Sequence, residues 1–168
     1  MKSYSYFQKD IVITGKHADY IDSLWTQGVI EESYIKRAVD LITIAAVIGL
    51  RADRYVEKAD TQNDNKITVQ LAQIMTVADD LKVIMQLILL LDKKSQMTKE
   101  QRVNRAFREP TSDEDWTRNM NTFYSYMRGG IEVLYEQLVL RTLTVDDLYT
   151  DKRIGNILAL YDHDFMLD

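Results

Sequence analysis

A chain of 168 residues, 46% of them hydrophobic, suits one domain with a core of several helices, and one Pro and six Gly are too few breakers for a many-stranded fold. The absence of cysteine excludes disulfides, thiolate nucleophiles and Cys-based metal sites together. A net charge of −5 is too dilute for a mimic of DNA and has the wrong sign for non-specific nucleic-acid binding by the whole chain.

Residues 9–14 (KDIVIT) alternate weakly and are rich in β-branched types, which predicts one short strand. GKHADYIDSLW (15–25) places Ala18, Ile21, Leu24 and Trp25 on one helical face, with Gly28 as the expected stop. A second helix is expected from about Glu32 to Leu50. Its first half, EESYIKRAVD, is amphipathic. Its second, LITIAAVIGL (41–50), is apolar on nearly every face and predicts a central place in the bundle. Asp40 interrupts this run and needs a partner if buried. Arg37, one turn earlier, can supply it, as can a distant arginine.

Residues 57–66 (EKADTQNDNK) form a polar loop, and ITVQLAQIM (67–75) reads equally as a short strand or a helical turn. Thr76 with Asp79 is a capping signature for a helix over 77–93, whose VIMQLILLL run makes it the second core helix. Neither apolar run approaches the roughly 20 residues that span a bilayer, so no membrane partner is expected. MKSYSYFQKD carries no signal-peptide apolar region, and with the lack of Cys this points to a cytoplasmic location.

Thr98 is placed to cap a short helix, KEQRVNRAFR (99–108), which Glu109-Pro110 ends. Ser112 caps the longest helix, with Asp113, Glu114 and Asp115 in its first turn, where the macrodipole favours negative charge. The apolar stripe Trp116, Met120, Phe123, Met127, Ile131, Leu134, Leu138 runs unbroken through Gly129-Gly130. Two helical glycines cost roughly 2 kcal/mol against two alanines, a cost that close approach by another helix explains. Thr144 with Asp147 opens a final helix over about 145–161, before the tail YDHDFMLD. The expected fold is all-α: one domain over 1–168, five to six helices around two apolar central ones, with room for one short N-terminal strand.

Residues that carry chemistry are few. His17, at a helix start, is expected on the surface. Asp162-His163-Asp164 has no second ligand set at i+4, so no metal site is expected. The carboxylate clusters Glu31-Glu32, Asp79-Asp80, Asp113 to Asp115 and Asp146-Asp147 fall at or near helix starts, where capping and dipole effects account for them. No phosphate-loop, dinucleotide, nucleophile-elbow or zinc-hydrolase motif is present. No catalytic residue and no cofactor is assigned, and the chain is read as a non-enzyme.

Charge is unevenly spread. Residues 111–168 hold 5 basic and 11 acidic side chains. Between Lys93 and Arg108 the balance reverses: Lys93, Lys94, Lys99, Arg102, Arg105 and Arg108 face a single acid, Glu100. Arg102, Arg105 and Arg108 recur at i+3 and form a drifting stripe that can hold phosphates or an acidic partner. The same residues also suit a solvated face, or a lock onto the acidic C-terminal third. Arg128, beside Gly129-Gly130, suggests a packing site with a buried ion pair, and Asp40 is its candidate partner. Tyr4, Tyr6, Tyr124, Tyr126 and Tyr135 are candidates for a protein interface, where amphipathic aromatics concentrate.

Three stretches, RAVDLITIAAVIGLR (37–51), LLLDKKSQMTKEQRVNRAFR (89–108) and YSYMRGGIEVLYEQL (124–138), together resemble small helical accessory proteins of bacterial anti-phage defence islands, including those beside DNA phosphorothioation-type modification and restriction genes. The resemblance implies an accessory role in DNA modification or restriction and transfers no functional residue. The leading expectation is therefore a non-enzymatic adaptor subunit. Its protein partner is a larger subunit of the same system or a second copy, and nucleic acid is a further partner through the 93–108 segment. Two other readings stay open. One is a DNA-binding transcriptional regulator using the N-terminal strand-helix-helix segment, which needs homodimers and salt-dependent affinity for duplex DNA. The other is an enzyme of unfamiliar type with Asp40, Arg128 or the DHD tail in a pocket.

Overall fold

Ile11 and Ile13 point inward from strand β1 (Ile11–Thr14) while Val12 stays exposed, the period-two burial of a strand with one face on a core. The computed structural model describes residues 4–26, 33–141 and 152–162. Gly15 follows β1 at φ 64°, a left-handed conformation that glycine adopts freely. Helix α1 (Lys16–Leu24) then starts without a side-chain cap from its own flank. Asp60 serves instead, accepting from Lys16 N at 2.7 Å across the polar loop. His17, Ala18, Ile21 and Leu24 are the buried face of α1. Gly28 lies outside the described residues.

Helix α2 runs Ala38–Arg51, six residues later in starting than the sequence suggests. Residues 33–37 form a connector instead, because Tyr34 is held by distant partners. Its N–H donates to Leu24 O at 3.0 Å and its hydroxyl to Leu138 O at 2.7 Å. Strand β2 (Lys66–Val69) pairs antiparallel with β1, Ile11 opposite Val69 and Thr14 opposite Lys66. The ambiguous 67–75 stretch thus divides: its start is strand, and its end is the short helix α3 (Leu71–Met75).

Helix α4 (Ala78–Leu91) has no side-chain cap; the Thr76 hydroxyl donates back to Gln73 O at 2.7 Å rather than capping the helix. The caps at Thr98 and Ser112 form as expected. Thr98 and Gln101 close a capping box on α5 (Lys99–Phe107), and Ser112 Oγ accepts from Asp115 N at 3.1 Å at the start of α6 (Asp113–Tyr135). Helix α6 passes through its glycines unbroken and continues as a π-helical turn, Glu136–Leu140. Helix α7 spans Lys152–Asp162; Thr144, Asp147, His163 and Asp164 lie outside the described residues. Among the described residues the fold is a helical bundle with one short two-stranded sheet, and no helix is long and apolar enough to cross a membrane.

The axis of the bundle is α6. Met120, Phe123, Met127, Ile131, Leu134 and Leu138 of its stripe are all buried, and Trp116 packs at the edge of the core. Its principal neighbour is α2, and the two backbones meet at glycine. A methyl group at Gly130 would collide with the Ala45 carbonyl and the Gly49 amide, and one at Gly49 with the Tyr126 carbonyl. The register, Ala45 by Gly130 and Gly49 by Tyr126, makes the crossing antiparallel. The two most apolar helices are less central than their composition suggests. Each leaves a face open: Ile44 and Val47 on α2, and Val83, Leu87 and Leu91 on α4. A helix that is apolar all round carries no asymmetry to show which side is covered.

Candidate functional site

Successive residues at i+3 on a helix drift by about 60° per step, and α5 ends at Phe107, so Arg108 stands beyond the helix in extended backbone. On α5 this drift turns Arg105 inward. Its side chain is 6% exposed and meets an Asp92 side chain that is 5% exposed, with Nη1 at 3.2 Å from Oδ2. Arg105 Nε donates to Asn119 Oδ1 at 2.7 Å and Nη2 to Thr122 Oγ1 at 2.8 Å. Asp92 is completed by the Tyr126 hydroxyl at 3.0 Å and the Lys94 backbone N–H at 3.1 Å. Arg105 is therefore a staple between the end of α4, α5 and α6, and not a surface contact. Arg102 is half-buried, its Nε without a hydrogen-bond partner among the described residues. Lys93, Lys94, Lys99 and Arg108 remain exposed. Lys93 and Lys94 sit in the turn after α4, where Lys94 Nζ lies 3.3 Å from Asp53 Oδ2; Lys99 opens α5. Arg108 follows α5 and lines a cleft of about 420 Å³ with Tyr4, Lys82, Phe107 and Pro110. The six basic residues are not gathered into one stripe.

Asp40 and Arg128 do not meet. Arg37 takes Asp40 in a two-pronged pair, Nε to Oδ2 at 2.8 Å and Nη2 to Oδ1 at 2.6 Å, at the solvent-facing start of α2. The antiparallel register puts Asp40 opposite the far end of α6, beyond reach of Arg128. Arg128 instead donates to two backbone carbonyls, Val56 O at 2.9 Å and Glu57 O at 2.6 Å. It clamps the segment after α2 onto α6. Burial pushes its guanidinium below the ordinary value, and the neighbouring Tyr55 and Tyr124 partly offset this.

A second cluster of titratable groups gathers around the buried Glu132. His17 is 1% exposed, which corrects the expectation of a surface histidine. Its Nε2 lies 3.2 Å from Glu132 Oε1 on α6. Lys16 Nζ reaches the same oxygen at 2.8 Å, and Arg54 Nη2 bridges Glu132 Oε2 at 3.1 Å and Glu136 Oε1 at 2.9 Å. A carboxylate only accepts, so Nε2 carries the imidazole proton and Nδ1 is left as a buried lone pair without a partner among the described residues. Tyr20 and Tyr135 stack beside the cluster with ring centroids 4.0 Å apart. The spacing of His17, Ile21 and Leu24 already places the histidine on the apolar face of α1.

Burial pushes the Glu132 carboxyl up, but the hydrogen bonds from Lys16 and Arg54 outweigh it and leave the group below its ordinary value. Burial holds His17 below its usual 6.5, against the pull of Glu132. Both shifts favour protonation of the unfolded chain. The stability from His17 is complete above about 6.5 and drains as pH falls from there toward its folded value. That from Glu132 is complete above its ordinary 4.5 and is lost at lower pH. Wild type is expected to lose stability on acidification from pH 7 to 5.5, and His17→Gln to flatten that slope (conditions chosen to bracket the usual pKa of about 6.5). Urea midpoints across the range measure this; parallel slopes for the two proteins would exclude His17 as the titrating group.

The expected interface tyrosines mostly serve the fold. Tyr126 is buried on Asp92, Tyr6 accepts from Asn119 Nδ2 at 2.7 Å, and Tyr135 stacks on Tyr20. The surface that does stand out is apolar. Val83 is 54% exposed, Leu87 43% and Leu91 52%, one stripe at i, i+4, i+8 on α4. Ile44 and Val47 protrude from α2, which packs beside α4. Among the described residues no three His, Asp or Glu side chains are gathered as a metal site requires. Comparison of the chain with protein-family models, with curated proteins and with solved structures returned no match.

Proposed function

We propose that this protein is a non-enzymatic adaptor subunit that works through protein–protein contacts. The observation that carries the reading is the apolar surface of α2 and α4, where five aliphatic side chains stand open on regular helices. Each is about half exposed, so covering the rest of one such side chain is worth roughly 1 kcal/mol, and several together in water favour association. The setting, a bacterial DNA modification or restriction system, rests on the resemblance of the three stretches described above. Nucleic-acid contact through 93–108 is a lesser part of this reading. It falls to Lys93, Lys94, Lys99 and Arg108, since Arg105 is held by Asp92.

Tagged protein expressed in its native host tests the reading. Wild type is expected to co-purify with a larger protein encoded beside it, and Ile44→Asp with Val47→Asp to lose that protein while keeping helical circular dichroism. Charge reversal at Lys93, Lys94, Lys99 and Arg108 is expected to leave the protein partner bound. Retention of the partner by the α2 double variant, or no neighbour-encoded partner at all, overturns the reading.

A further inference from the structure

We infer that α4 pairs antiparallel with α4 of a second copy of this chain, across a two-fold axis at Leu87. The inference rests on the adaptor reading in taking the open apolar face as an interface, and it names the partner of the α4 part of that face. A two-fold interface must be self-complementary: where residue i touches j, j touches i. The α4 stripe meets this condition. Val83 and Leu91 lie equally far on either side of Leu87, all three exposed. Antiparallel pairing sets Val83 against Leu91 of the second copy and Leu87 against its own equivalent. The stripe spans about 12 Å, and ridges of i±4 residues are the commonest elements by which helices interdigitate.

The ends of the helix choose the direction. Asp79 and Asp80 are exposed at the start of α4, and Lys93 and Lys94 are exposed just past its end. In sequence they flank Leu87 nearly symmetrically, Asp80 as far before it as Lys94 is beyond; both lysines lie in the turn after α4, and Lys94 shares its charge with Asp53. Antiparallel pairing brings the acidic end of each copy to the basic end of the other, twice. Parallel pairing would set acids against acids and lysines against lysines. The inner side of α4 is already committed to the core through Leu81, Ile84, Met85, Ile88 and Leu89, so only the outer stripe is available.

Sedimentation equilibrium of the purified full chain over a wide concentration series tests this. Wild type is expected to dimerise reversibly. Leu87→Asp, which sets two carboxylates face to face on the axis, is expected to remain monomeric with unchanged helical content. Asp79→Lys with Asp80→Lys is expected to weaken the dimer by roughly tenfold or more. Adding Lys93→Asp and Lys94→Asp to that variant restores opposite charges across the antiparallel pair and is expected to recover the dimer. A wild-type monomer throughout, a dimer that survives Leu87→Asp, or no recovery in the four-fold variant overturns the proposal. A monomer whose Ile44→Asp/Val47→Asp variant still loses the host partner overturns the dimer alone. A dimer of the expected pattern beside a partner retained by that variant overturns the adaptor reading alone.

Discussion

Arg105→Met is expected to destabilise the fold by about 3–5 kcal/mol, read as a lowered urea midpoint at unchanged slope. The size follows from what the substitution leaves behind. Asp92 is buried, and among the described residues Arg105 is its only cationic partner. The Tyr126 hydroxyl and the Lys94 N–H that remain are neutral donors and cannot balance a full charge away from water. Asn119 and Thr122 also lose the donors that orient them. Adding Asp92→Asn to Arg105→Met removes the stranded charge and is expected to recover part of the loss, because a buried pair is costlier to halve than to remove. Arg108→Ala, three residues on and exposed, should change stability by no more than about 0.5 kcal/mol. Equal, small effects at both positions would return Arg105 to the surface stripe that its spacing suggests.

Gly130→Ala is expected to cost about 2–3 kcal/mol despite alanine being the better helix former by about 1 kcal/mol. The two terms have opposite signs, so the direction of the change decides which governs. The new methyl meets the carbonyl of Ala45, an atom of another helix's backbone that cannot rotate aside. Removing the Ala45 side chain therefore brings no relief, and Ala45→Gly is expected not to rescue Gly130→Ala. Thr117→Ala, exposed on the same helix, isolates the propensity term and should be neutral or slightly stabilising. A stabilised Gly130→Ala protein would show that α2 and α6 do not meet at the glycines.

Local signals were readable and distant ones were not. Thr98 and Ser112 declare their caps within three residues, and the α6 stripe repeats often enough to survive two glycines. The glycines themselves announce a close approach, although nothing local says that α2 provides it. Asp60 caps α1 from 44 residues away, and Tyr34 is drawn out of helix by partners on α1 and the π-helical turn. Arg105 looks like its neighbours on α5 until Asp92 and Asn119 are placed around it. His17 is legible from its spacing, but a polar residue at a helix start reads as surface. The open faces of α2 and α4 were hidden for the opposite reason: uniform apolar composition marks burial but not its extent.

The position of the axis late in the chain has a consequence for synthesis. The helices that pack on α6 from earlier in the chain, α1, α2 and α4, all leave the ribosome before Asp113 does. At a translation rate of about 5–20 residues per second they wait for several seconds with their inner faces uncovered. During that interval the notch at Gly49 has no second helix to close it, and Tyr34 has no Leu138 carbonyl to hold. The nascent protein presents more apolar surface than the folded one does, and α6 acts as the keystone that shuts it.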